Sequence, residues 1–302
     1  MEKKKRLSSN RRFGGMEPWE VEQSLIYLRR KLSSVTQRRN GKWIVRQEAR
    51  LAARVKRRFN RQRDWLVEHL SELPFFQEDQ KSNKRRSTKA YPDDINIFVS
   101  KLPEVESMVD DIVEFAGYGW TRGARLAYKD LNMADAGVSF DLVNESALAY
   151  LQALKDIQLS DYRGSISRTT RRKIIEILTD AAESGASAQK TAEEIMKQGK
   201  EGIFTRSRAQ MIATNEIGRA YGEGNRQMVE RFIAETGAIM EKAWLTVGDD
   251  RVTLQCQENE AVGWIGFNET FPSSDLAAPR HDHPRCRCDT IHREIDIDGN
   301  PI

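Results

Sequence analysis

Residues 281–288 read HDHPRCRC, placing His281, His283, Cys286 and Cys288 within eight positions near the end of a 302-residue chain. The third cysteine, Cys256, lies thirty residues before Cys286. Three cysteines, two of them one residue apart, make a poor disulfide framework. Zinc takes nitrogen and sulfur ligands in a tetrahedron, and a small irregular sheet with few apolar residues gains much from such a staple. Cys256, His283, Cys286 and Cys288 therefore form the candidate metal site, with His281 as the substitute nitrogen ligand. Four protein ligands leave no open position, so bound zinc would be structural and not catalytic. The competing reading is three reduced, partly buried cysteines without a metal.

Around this stretch the texture of the chain is β-like. After Gly237 helical spacing gives way to short runs at Ala243–Val247, Val262–Phe267 and Asp289–Ile295, separated by Gly-Asp-Asp, Pro-Ser-Ser and the proline-rich region Pro279–Pro284. Upstream, apolar residues recur at helical intervals. They predict helices over Trp19–Arg39, Trp43–Leu73, Pro103–Gly117, Thr121–Leu131 and Asp141–Ile157. Further helices should run from Ser167 to Gly185, from an N-cap at Ser187, and over Thr205–Thr236 with interruptions at Gly222 and Gly224. The expected fold class is α+β: mainly α-helical, with a small C-terminal antiparallel sheet stapled by zinc if metal binds. Three parts are expected: a basic helical N-terminal arm and linker (1–90), a helical domain (91–236) and a small β-rich Cys/His domain (237–302).

Charge is unevenly spread. The net charge is +4 overall, yet residues 1–90 hold 25 Lys and Arg against 10 Asp and Glu, so the remainder is acidic. A basic third on an acidic body suggests contact with nucleic acid or an acidic protein surface. Arg46, Arg50, Arg54, Arg57, Arg58, Arg61 and Arg63 surround the second helix instead of alternating with acids, which suits phosphate binding. A solvated cationic face is the plainer alternative. Trp43, Phe59 and Trp65 read as packing residues. No run approaches the eighteen apolar residues of a membrane helix, and the basic N-terminus lacks the apolar stretch of a secretory signal. A cytoplasmic origin without membrane contact is expected.

Three ordered stretches carry a resemblance to a known family. Arg208-Ala-Gln-Met-Ile212-Ala213-Thr214-Asn215-Glu216, followed by Ala220, resembles a helix of pattern R-A-x-x-I-A-x-T-E. Trp244-Leu-Thr-Val-Gly-Asp249-Asp250-Arg251-Val-Thr253 with Cys256 is similar to W-x-x-x-x-D-x-R-T-C-x-x-C. His283-Pro-Arg-Cys286-Arg-Cys288 matches an H-P-x-C-R-C ending. Together, over about residues 140–292, they resemble the phage Mu F-like head morphogenesis family, whose members are minor capsid proteins. Thr253 stands where many members carry the first cysteine of a pair. The resemblance implies a structural protein and not an enzyme: a minor head protein of a tailed bacteriophage, in the virion head interior or portal region, and in host cytoplasm during assembly. It implies portal protein as partner, with major capsid or scaffold protein and double-stranded DNA as further candidates, and a role in head morphogenesis, genome packaging or DNA delivery.

Other residues carry weaker readings. Arg208, Glu216 and Arg251 are candidates for buried ion pairs joining the long helix to the C-terminal sheet. Asp249 and Asp250 read as a turn in preference to a carboxylate pair for metal-assisted hydrolysis. The alternatives to the head-protein reading are a metal-dependent nuclease using the histidine–cysteine cluster and a zinc-stapled DNA-binding protein.

Overall fold

A computed structural model describes residues 42–77, 92–140, 145–160, 165–248, 252–279 and 283–302. The expected helix over 19–39 lies outside them. Helices α1 (Lys42–His69), α2 (Pro74–Gln77), α3 (Pro92–Ser100), α4 (Val105–Asp130), α5 (Glu145–Leu159), α6 (Ile166–Ser184), α7 (Ala188–Glu201) and α8 (Arg206–Thr236) precede strand β1 (Ile239–Leu245). Helix α9 (Leu254–Val262), β2 (Trp264–Gly266) and β3 (Asp289–Ile295) follow. The expected class, mainly helical with a small antiparallel sheet near the C-terminus, is what the chain adopts.

The chain divides into two compact units. One comprises Arg46–Gly119 and Asp141–Ile217, and the regular structure in its described residues is all helix. Its α1 buries Leu51, Val55, Phe59 and Leu66, a helical spacing that puts one face into the core. Gln62, buried on the same helix, donates from Nε2 to the Pro103 carbonyl at 3.0 Å, which satisfies the nitrogen of its amide, while Oε1 has no partner among the described residues. Helix α6 starts where Ser165 accepts a hydrogen bond from the Arg168 N–H, and ends at Gly185 in the left-handed conformation (φ 65°). Ser187 caps α7 in the same way, through the Lys190 N–H.

The second unit contains Trp120–Phe140 and Gly218–Ile302 together with the described residues of Met1–Val45. Its sheet has the order β2-β1-β3, antiparallel throughout, with Lys242 opposite His292 and Trp244 opposite Thr290.

The structure departs from expectation in several places. Pro103–Gly117 and Thr121–Leu131 form the single helix α4, and α8 runs through Gly222 and Gly224 without interruption. Two glycines in these helices are places of close approach. A Cβ on Gly123 would lie 1.8 Å from the Tyr221 carbonyl oxygen, and one on Gly224 would lie 2.1 Å from the Trp120 carbonyl oxygen. Only a residue without a side chain lets these backbones meet. Helices α3 and α9 fall where no helix was expected, and the first two strands lie within Ile239–Leu245 and Trp264–Gly266 in place of the longer or later ranges read from the sequence. Leu148 of α5 is exposed.

Candidate metal centre

Helix α9, absent from the sequence reading, supplies the first sulfur. Thr253 caps it: the Thr253 hydroxyl accepts from the Cys256 N–H at 3.3 Å, which sets Cys256 in the first turn with its side chain inward. Two further fastenings hold α9 in place. The Glu260 carboxylate accepts from the Thr246 N–H and hydroxyl, both at 3.0 Å, at the end of β1. Asn259, fully buried, donates to the Ser274 hydroxyl at 2.8 Å and accepts from the Ser273 N–H at 3.2 Å.

The other two sulfurs come from the segment that leads into β3. The Cys286 N–H donates to the His283 carbonyl at 3.3 Å, closing a turn in which Arg285 takes a left-handed conformation (φ 63°). That conformation is costly for a residue with a side chain and is retained where surrounding contacts enforce it. Cys256, Cys286 and Cys288 are all buried, no disulfide joins them, and their Sγ atoms lie within 4.8 Å of one another. Trp244 and Phe271 pack against them, their rings edge-to-face at 5.1 Å, with Val252 and Ile265 at the margin.

His283 stands beside the sulfurs. Its Nε2 is 3.4 Å from Cys256 Sγ, and its Nδ1 is 3.0 Å from the Pro284 carbonyl oxygen. The carbonyl can only accept, so the ring proton belongs on Nδ1 and the Nε2 lone pair faces the sulfurs. In a tetrahedral zinc site the ligand bond lengths put sulfurs roughly 3.8 Å apart, and sulfur and nitrogen roughly 3.6 Å apart. The three sulfurs, all within 4.8 Å of one another, need about 1 Å of contraction at most, whereas His283 is brought to Cys256 but is not part of that cluster and would have to swing in to complete a tetrahedron. Three thiols and one imidazole are a soft, borderline donor set suited to zinc. His281 lies outside the described residues.

The arginines of α1 are split by their neighbours. Arg54 donates to Asp111 at 2.9 Å and to Glu114 at 2.7 Å, Arg58 pairs with Glu104 and Asp111, and Arg61 donates to Glu104 at 2.9 Å. Arg63 pairs with Asp64. Burial works to raise the Glu104 carboxyl, but hydrogen bonds from Arg61 and Arg58 outweigh it and hold that group below its ordinary value of 4.5. Arg46, Arg50 and Arg57 are exposed. Three of the seven arginines expected to make a cationic surface on this helix are thus met by acids at or just before the start of α4, 43 to 60 positions away in sequence.

Arg208 does not pair with Glu216. Its guanidinium donates to Thr170 Oγ1 and to the Ile203 and Ile166 carbonyls, and lies 4.9 Å from the centre of the Phe59 ring. Burial alone lowers its pKa to about 10. Arg208 therefore ties α8 to α1 and α6 inside the helical unit and does not reach toward the sheet as expected. Glu216 is buried, and Arg251, Asp249 and Asp250 lie outside the described residues.

A second polar cluster has no counterpart in the sequence reading. Lys242, Asn225, Asp289, Thr290 and His292, all buried, line a cavity of about 20 Å³ between α8 and the sheet. The Tyr221 hydroxyl donates to Asp289 at 3.2 Å. The Lys242 ammonium sits 5.6 Å and 5.8 Å from the Phe271 and Phe267 ring centres, with no carboxylate within 4 Å among the described residues. Burial, with repulsion from Arg226, lowers its pKa from 10.5 to about 8, against a weaker pull from Glu269. A signal for it exists: in β1, Met240, Lys242 and Trp244 share the inward face, and a lysine between two core residues is unusual.

Residues 172–291 match the family model described as Phage Mu protein F like protein. No curated protein and no solved structure matches the chain.

Proposed function

We propose that this chain, which belongs to the phage Mu protein F-like family through residues 172–291, is a minor head protein of a tailed bacteriophage that docks at the portal and serves head assembly, genome packaging or DNA delivery. The family match carries the reading. It fits a structural role in that the matched segment ends in a buried cluster of three cysteines, and with His283 as fourth ligand a metal there would have no vacant position, an arrangement suited to holding a fold together. Among the described residues no helix is long and apolar enough to cross a membrane.

In this reading Cys256, His283, Cys286 and Cys288 hold one zinc ion, which supplies cross-linking of α9 to the turn before β3 and no chemistry on a substrate. Metal analysis of the full chain is expected to give one zinc per chain, lost together with thermal stability in Cys286→Ser. No metal in wild type and an unchanged melt in the variant would remove the staple from the proposal.

The head role is tested in particles. Purified procapsids and virions should contain the protein in a few copies, retained when portal protein is retained and missing from portal-less heads. Its absence from both particles would overturn the assignment, as would divalent-metal-dependent DNA cleavage abolished by His283→Ala.

A further inference from the structure

Strand β1 carries a cation into the interior of the sheet-bearing unit without a counter-charge. Lys242 is 3 % exposed, and its ammonium makes no hydrogen bond or ion pair among the described residues. The Phe267 and Phe271 rings flank it, their centres 5.8 Å and 5.6 Å away. Trp244 Nε1 on the same strand is sealed from solvent and unmatched, whereas Lys242 Nζ is unmatched without being sealed, and the cavity of about 20 Å³ that it lines is the space that reaches it. Such a volume holds one water-sized occupant. Two neutral donors share the cavity, the Asn225 amide of α8 and the Thr290 hydroxyl of β3. Both residues are buried, and neither side chain is hydrogen-bonded to another described residue. The other charged groups nearby are engaged elsewhere. Arg226 pairs with Glu223 at 2.6 Å and with Glu230. Both Asp289 oxygens accept hydrogen bonds, one from the Tyr221 hydroxyl at 3.2 Å and one from the Thr290 N–H at 2.9 Å. Asp289 also stands opposite Leu245, three positions along β1 from Lys242, which is roughly 10 Å at the rise of a strand. Glu269 accepts from the Gly266 N–H at 3.1 Å.

We propose that this cavity is a binding site for one monoatomic anion, chloride in ordinary solution, held by the Lys242 ammonium with the Asn225 amide N–H and the Thr290 hydroxyl as neutral donors. A buried cation without a partner is costly, and an anion beside it offsets that cost. Water fits the same volume but leaves the charge uncompensated. Burial lowers the lysine only to about 8, so at neutral pH the proton, and with it the charge to be matched, is still there. Size sets the selection, since a space for one water-sized body admits chloride or bromide and excludes phosphate and sulfate. The three ligands come from β1, α8 and β3, so the bound ion would fasten the long helix to the sheet. This site does not depend on the head-protein reading.

The test is urea denaturation of the full chain at neutral pH and constant ionic strength, with sodium chloride replacing sodium gluconate, whose anion is too large for the cavity. A ligand bound only by the native state raises the folding constant by one plus the ratio of its concentration to its dissociation constant. Chloride at about ten times that constant should therefore raise it about elevenfold, and the rise should follow this saturating form. Bromide should act in the same way. Lys242→Met should lose the chloride response. Asn225→Asp places a tethered carboxylate in the cavity, so in gluconate it should be at least as stable as wild type and should not respond to chloride. It decides the matter if the methionine variant fails to fold. A wild type without a saturable chloride effect would overturn the site and leave a cavity filled by water. A chloride effect of wild-type size in Lys242→Met or Asn225→Asp would overturn it as well, because the ion would then bind elsewhere.

Discussion

Consider Lys242→Met, which removes a buried cation and keeps a long flexible side chain between Phe267 and Phe271. In the folded protein the ammonium titrates at about 8, against 10.5 when exposed. Below pH 8 the lysine is protonated in both states, and the native state carries the whole penalty of burying the charge. Between pH 8 and 10.5 the unfolded chain holds the proton while the native chain does not. Wild-type stability contributed by this group therefore rises with pH across that window. The full shift corresponds to at most about 3 kcal/mol. Relaxation of the surroundings of a buried charge reduces the effective penalty, leaving about 1–2 kcal/mol. Loss of the two ring contacts removes about 0.5–1 kcal/mol in the other direction. Methionine should thus stabilise the protein by about 1 kcal/mol at pH 7, and by nothing or less at pH 10.5. Urea denaturation followed by tryptophan fluorescence at both pH values gives the difference between variant and wild type, in which every other titration cancels. A variant whose stability relative to wild type is the same at pH 7 and pH 10.5 would refute the claim that this lysine is a penalised buried cation.

Three more outcomes follow from single contacts, each measured by the same urea denaturation. Gly123→Ala drives a methyl group into the Tyr221 carbonyl, an overpacking against rigid backbone that should cost about 3 kcal/mol or more. Glu104→Gln weakens the acceptor shared by Arg58 and Arg61 and should cost about 2 kcal/mol at neutral pH. Because the folded carboxyl titrates below 4.5, wild type loses this stabilisation as pH falls from 4.5 downward, and the variant's stability should fall less steeply there. Thr253→Ala deletes the α9 cap and should lower stability by about 1 kcal/mol, with Thr253→Ser restoring it; an unchanged alanine variant would show that the cap does not position Cys256.

Much of the helical unit was legible because its signals are local. The N-cap of α7, Gly185 and the apolar stripe of α1 each act within a few residues, and local geometry decides them. The merging of two expected helices into α4 was not legible, because Gly117, Gly119 and Gly123 look the same in sequence whether they end a helix or admit a neighbour. What distinguishes the two cases at Gly119 and Gly123 is the Ile217 and Tyr221 backbone opposite them, 98 residues away in each pair. Helix α9 was hidden for a related reason. Its nine residues hold Gln255, Gln257, Glu258, Asn259 and Glu260, with no apolar stripe, and it is stabilised by Thr253 at one end and by contacts to Thr246, Ser273 and Ser274.

The candidate site shows the same division between spacing and partnership. Cysteine and histidine positions carry their own chemistry, so the grouping of Cys256, Cys286 and Cys288 could be read before any fold was known. Thr253, which in sequence is merely the place of a missing cysteine, orients Cys256 through its cap; one residue's loss as a ligand is matched by its service to another. Charge is the opposite case, since an arginine's meaning depends on what faces it. The arginines of α1 form the densest run in the chain, yet Asp111, Glu114 and Glu104 fold back onto them. Net charge along a sequence therefore overstates binding capacity wherever the fold supplies counter-charges, as Glu104, Asp111 and Glu114 do for Arg54, Arg58 and Arg61.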